Sequence, residues 1–468
     1  MTATARSVTP MEPADVDFNR LAHPDRPLRP IPPGRDVFAE RWRRSREFLF
    51  APWIDIDVEV GPNDLTRARD DYFWQADEHM IGVVEMFEEL GHKTARVMFE
   101  QALTEGIDTV EEPHPALIAL FDQLDNVPEW FDHESAERGR ILVSSSTIPA
   151  SMLILGWAFF ETAMTGDISA ATGATGRFRD QGPRRYLETF RMFAMMATPQ
   201  VYGRFNIEFQ TVVRVRLMHA LVSRGLRRSW GDDVYLKYGE PIAAASLLGF
   251  GNGPLLLRLA DHQLGRRLSP SDLDDIAMYA SFTSWLLGAP ESLRCRDGLE
   301  LIKSLNYIFA RGGDPSQWRA EVVDTQPAFV RWMVDATVGW LPEPARAVLA
   351  QALDINFAVT GLVPLVMVFG ADQIDELLAD SEFEKYPINY RILGQGFEAM
   401  ARVHARAVRT RDQIPGMAMA KRVYYRNGVP GQRGVIDGLE GVLNRMGMRS
   451  TYTHHDRSPA GAAFTGGR

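Results

Sequence analysis

The chain has 468 residues, 45% hydrophobic and 24% charged, with a formal net charge of −10. That is the composition of a folded globular protein, and its acidic balance argues against a nucleic-acid partner, which needs clustered Lys and Arg. A single cysteine, Cys295, excludes an intramolecular disulfide and any zinc site built on several thiolates, and it fits a reducing compartment.

Residues 1–36 are rich in proline and charge (HPDRPLRPIPPGRD) and read as an extended or disordered N-terminal arm. The first twenty residues hold neither an apolar h-region nor twin arginine, so a cytoplasmic location is expected. From about residue 66 helical periodicity dominates, with helices expected at 67–90, 93–105, 114–124, 134–165, 184–197, 204–228, 241–248, 254–263, 271–288, 291–310, 316–336, 342–356, 372–380 and 390–409. Between them GDISAATGATGRFRDQGP, 166–183, reads as a glycine-rich loop, and SPSDLDD offers a serine N-cap followed by acids. No period-two strand pattern and no internal repeat stands out, so one all-α domain is expected over 37–410. Residues 411–468 read as an extension with one short helix at 434–446 and a disordered tail. The longest uncharged apolar run, TIPASMLILGWAFF, is about 14 residues, short of the ~20 that span a bilayer, so no transmembrane segment is expected.

Several chemistries lack an anchor. GFGNGP, 249–254, starts like a phosphate loop but lacks the last glycine and a preceding strand. The Glu89–His92 and Glu111–His114 spacings are interrupted by Gly91 and Pro113, which breaks the di-iron pattern. Cys295 follows Glu291 where a haem-thiolate signature has glycine, and His454 and His455 sit in the tail. No Walker A, HExxH or GxSxG sequence is present.

The stretch RVRLMHALVSRGL, 214–226, poses a different question. At about 100° per residue, Val215, Val222 and Ser223 share a side with His219, while Leu217 and Leu221 point away, as in a buried helix. A buried imidazole needs a hydrogen bond or a metal for its ring nitrogens. An ordinary core histidine and an iron ligand both meet that need.

Four segments occur in order: RRYLETF, RVRLMHALVSRGL, GEPIAAASLLGF and SWLLGAPESL. Together they resemble the latex-clearing protein (rubber oxygenase) and mycophenolic-acid-pathway oxygenase family over roughly residues 110–310. The resemblance implies a single large helical domain wrapped around one haem b, globin-like in style, with His219 as the proximal iron ligand. It also implies cleavage of carbon–carbon double bonds by dioxygen in apolar, isoprenoid or lipid-like molecules. Rubber itself is a poor substrate for a protein without a secretion signal, because the polymer cannot enter a cell.

Under that resemblance Val215 and Val222 contact the macrocycle, and Arg216 pairs with a propionate or else makes a salt bridge at the helix surface. On the opposite side the family carries Arg-x-x-Lys-Thr; here the matching residues are Arg185, Glu188 and Thr189, so the lysine is replaced. Arg185 and Thr189 would steady oxygen, and Met192, Phe193 and Met196, on the same helical face, would form either an apolar substrate wall or plain core. Glu188 projects about 100° away and serves either as a salt-bridge partner or, if burial raises its pKa, as a proton carrier. A haem-binding sensor or carrier without turnover, and a haem-free helical binding protein, are the rival readings. A homo-oligomer is compatible with all three.

Overall fold

The computed structural model describes residues 40–61, 63–173, 189, 191–230, 232–312, 315–431, 434, 437–438, 441 and 444. Every regular element among them is helical, as expected for the all-α class. In chain order these are α1 (Arg43–Leu49), α2 (Asp64–Tyr72), α3 (Glu78–Leu90), α4 (His92–Glu105), α5 (Pro115–Asp125), α6 (His133–Ser144), α7 (Ile148–Met164) and α8 (Gly166–Gly173). They continue as α9 (Ile207–Ser229), α10 (Asp232–Tyr238), α11 (Ala244–Gln263), α12 (Pro270–Leu286), α13 (Gly298–Ala310) and α14 (Arg319–Val338). The last are α15 (Glu343–Phe357), α16 (Val366–Phe369), α17 (Ala371–Leu378), α18 (Tyr390–Asp412) and α19 (Met417–Tyr424).

Four expectations are corrected, each for a local reason. The helix expected at 67–90 breaks between Tyr72 and Glu78, because Asp77 takes an extended backbone and its side chain accepts from Met80 N as an N-cap. The helix expected at 134–165 bends by 90° between α6 and α7, where Thr147 caps the second helix and Pro149 sits in its first turn. Conversely, 241–248 and 254–263 join as α11, straight through the three glycines of GFGNGP. Glycine costs about 1 kcal/mol in a helix, and the buried Leu247, Leu248, Leu255, Leu256 and Leu259 on that helix offset it. The start of the expected 166–183 loop is helical, as α8.

Helical structure also begins earlier than expected, at α1. A 3-10 turn, Glu291–Leu293, precedes α13. The C-terminal extension is held at residues 425–428: the fully buried guanidinium of Arg140 donates to the carbonyls of Ala197, Tyr425 and Arg426, and Gly428 is buried. Residues 434, 437–438, 441 and 444 are helical, as expected.

Two large apolar cores form among the described residues, beside smaller clusters. One gathers Trp42, Trp157, Phe160, Phe309 and Phe369 between α1, α7, α13 and α16. The other gathers Phe87, Phe99, Phe121, Val212, Val213 and Phe282 among α3, α4, α5, α9 and α12. At one crossing α6 meets α12 backbone to backbone: a Cβ on Gly139 would stand 2.1 Å from Asp275 O, so only glycine permits the approach. The run Glu343–Phe369 is long and apolar enough to cross a membrane by length and composition, yet 61% of that window is buried inside the protein. A π turn, Ala358–Leu362, interrupts it.

Candidate functional site

α9 is the buried helix that its sequence implies, with Val212, Val213, Val215, Leu217, Ala220, Val222 and Leu226 all inside. His219 lies mid-helix and half-buried, with Nδ1 shielded from water. It faces a space of about 220 Å³ lined also by Arg216, Ala220 and Ser223 of α9, Ala76 and Asp77, Ile242 and Leu247, and Leu287.

The break before α3 places Asp77 there. Segment 73–77 runs alongside 240–244: Glu240 N donates to Phe73 O at 3.2 Å, and Ala244 N donates to Gln75 O at 2.7 Å. The Tyr235 hydroxyl donates to Trp74 O at 2.7 Å. Asp77 is thereby set against Arg216, whose Nε and Nη2 both engage its carboxylate, the latter at 2.9 Å. Arg216 is 1% exposed and Asp77 6%, so this is a buried ion pair rather than a surface one. The remaining Arg216 nitrogen, Nη1, is shielded from solvent and has no hydrogen-bond partner among the described residues.

One turn on, the Ser223 hydroxyl is taken up by Glu240 Oε1 at 2.5 Å. The loop after α12 closes the site from the other side. Gly288 has φ +96°, and a Cβ there would stand 2.1 Å from Asp77 Oδ2 and 2.5 Å from Arg216 Nε. Nearby, burial and the Arg216 charge both lower the pKa of His79 and keep its ring neutral.

Of the residues singled out in the sequence, His219 and Arg216 meet on this wall. Val215 and Val222 do not line it; they pack into the second core with Met192 and Met196, each 3% exposed, and with the half-buried Phe193. Thr189 is helical and exposed, whereas Arg185 and Glu188 lie outside the described residues. Asp77, Ile242, Leu247 and Leu287 were not singled out, although the Asp-Glu pair at 77–78 is an N-cap signal and the other three belong to the companion segments.

The motifs set aside have ordinary uses. His114 caps α5, accepting at Nδ1 from Ala116 N at 3.2 Å, and its Nε2 meets Glu89 at 3.3 Å on the surface. Among the described residues no group of three or more His, Cys, Asp or Glu is placed to hold a metal ion. Chemically, the α9 wall offers one imidazole, one spare guanidinium NH2 and a mostly apolar lining. Comparison of the chain with protein-family models, with curated proteins and with solved structures finds no match in any of the three.

Proposed function

We propose that the protein is a haem b-dependent oxygenase acting on an apolar, isoprenoid or lipid-like small molecule. One observation carries this reading: His219 and the spare Nη1 of Arg216 share one cavity wall whose remaining members are mostly apolar. That donor set suits the group, since an imidazole ligates iron and a buried guanidinium pairs with a carboxylate. The space beside His219 is far too small for it as it stands, since only about 10 Å³ of it admits a water-sized sphere and ligand pockets run to ~300–1,000 Å³. Loading haem therefore requires wall side chains such as Ile242, Leu247 and Leu287 to move apart.

When bound, the haem supplies the redox centre for dioxygen chemistry. His219 would hold it through a ring nitrogen, and Arg216, itself fixed by Asp77, would bind a propionate. Arg185 and Thr189 are the proposed polar partners of dioxygen. Glu188, in the place of the family's lysine, is proposed either to carry a proton or to bridge a neighbouring arginine. Met192, Phe193 and Met196, proposed as an apolar substrate wall, pack in the second core.

The small size of that space favours one rival, a haem-free helical binding protein in which His219 is an ordinary core histidine. Absorption spectra of protein expressed with haem available, followed by oxygen uptake with squalene, separate the readings. A Soret band with squalene-dependent uptake is the expected result. A Soret band without uptake, for squalene and shorter isoprenoids, points to a carrier or sensor, and no Soret band overturns both haem readings.

A further inference from the structure

α18 turns two chemically different faces outward, side by side. Its inward face is Tyr390, Gly394, Phe397, Ala401 and Ala405, all buried. At about 100° per residue, Ile392, Gly396, Ala399 and Val403 fall on the opposite side, with Leu393 and Met400 beside them, and all six are exposed. Val403 is 67% exposed, Ile392 64% and Met400 53%, and a Cβ on Gly396 would meet nothing within 4 Å. Single exposed hydrophobics are ordinary on a protein surface, but an apolar stripe along about three turns of one helix marks a contact site.

The second face is basic. Arg391, Arg402, Arg406 and Arg409 group together about 100° around the helix from the apolar stripe. Arg391 meets Asp372 at 3.0 Å and Arg402 meets Glu398 at 2.6 Å, both pairs lying in solvent, where they contribute little. Arg406 and Arg409 are exposed and have no acidic partner among the described residues. A salt bridge from Lys421 to Asp412, 2.5 Å, ties α19 to the end of α18, and α19 in turn exposes Met419, Val423 and Tyr424. From 390 to 426 the chain holds eight Arg and Lys against Glu398 and Asp412, a net charge of +6 within a chain of −10. Positive charge is thus concentrated where apolar side chains meet water.

That pairing selects the occupant. A nucleic-acid backbone would neutralise the arginines but bury none of the apolar stripe. A second copy packed symmetrically would bring the same arginines against themselves. An anionic bilayer satisfies both faces, since its acyl boundary takes up apolar side chains while its phosphates meet arginines whose stems lie along the surface. The helix is already folded on its inward face, so docking needs little further ordering of the chain.

We propose that α18 docks the protein on an anionic lipid surface, with Ile392, Met400 and Val403 entering the boundary between headgroups and acyl chains and Arg406 and Arg409 meeting lipid phosphates. This surface does not depend on haem at His219.

Co-sedimentation of the full-length protein with vesicles tests it, using phosphatidylcholine and phosphatidylglycerol in equal parts against phosphatidylcholine alone. Binding to the mixed vesicles and little to the neutral ones is expected, weakening several-fold as salt rises from about 0.1 to about 0.5 M. Val403→Asn, which adds no charge, should lower the partition coefficient roughly tenfold. Replacing Arg406 and Arg409 together by Ala should lower it roughly thirtyfold. Val97→Asn, at an equally exposed valine of α4, 61% exposed, should leave it unchanged. All the substituted side chains are exposed, and thermal melts confirm that each variant folds. The proposal is overturned if the mixed vesicles carry down no protein, if neutral vesicles bind it equally, or if Val403→Asn binds as well as wild type. A loss with Val97→Asn as large as with Val403→Asn also overturns it.

Discussion

Among the described residues two buried arginine–aspartate arrangements differ in what surrounds the pair. Around Asp261, 0% exposed, the carboxylate receives Arg258 Nη1 at 2.7 Å, Arg266 Nη1 at 3.2 Å, and the backbone and hydroxyl of Thr147. Arg266 goes on to Ser145 O at 2.5 Å and Asp412 at 3.0 Å, so this network ties the α6–α7 bend, α11 and α18 together. Among the described residues the Asp77 carboxylate engages only Arg216 and the cap at Met80 N, and the pair borders open space beside His219. Each network leaves one arginine nitrogen without a partner among the described residues, Arg258 Nε in the first and Arg216 Nη1 in the second, so what separates them is that only the second borders a space where a ligand could meet it.

The largest effect is expected at Asp261, whose carboxylate serves two arginines and Thr147. Asp261→Ala strands Arg258 and Arg266 and should cost about 3–5 kcal/mol in urea unfolding. A loss under about 1 kcal/mol would mean that water replaces the carboxylate easily. At the open pair, Gly288→Ala combines a positive φ with a methyl group 2.1 Å from Asp77 Oδ2, and should cost on the order of 2–3 kcal/mol while weakening haem retention. Unchanged stability and haem content would show that the Asp77–Arg216 contact is dispensable.

A half-buried carboxylate, Glu161, sharpens the contrast. Burial, and then the Asp167 charge, raise the Glu161 carboxyl from 4.5 to about 7. Between those values the unfolded chain ionises Glu161 while the folded protein keeps it protonated, so its contribution to stability falls as pH rises through that window and stays lost above it. Glu161→Gln should therefore stabilise the protein near pH 8, by on the order of 1–2 kcal/mol allowing for partial exposure, and have little effect near pH 4. Thermal melts at the two pH values check this, and equal shifts at both would contradict it.

The helical class was legible because the apolar positions repeat at helical spacing over long stretches, and caps such as Ser269, whose side chain accepts from Asp272 N, follow from sequence alone. The break at 73–77 was not, because the backbone bonds that hold it come from residues 240 and 244. The same limit governed the site. His219 and Arg216 are neighbours on one helix and could be read together, but Asp77 lies 139 positions from Arg216. Facing direction was legible only to within a side: Val215 and Val222 flank His219 on one edge of α9, and the cavity opens on the other, along Arg216 and Ser223.

The central claim is that His219 holds a haem. Titration of haem-free wild type and His219→Ala with haem, followed at the Soret band, tests it most directly. The account predicts saturable one-to-one binding by wild type and loss of that spectrum in a variant that still folds. Equal binding and an identical Soret band in both proteins would contradict it.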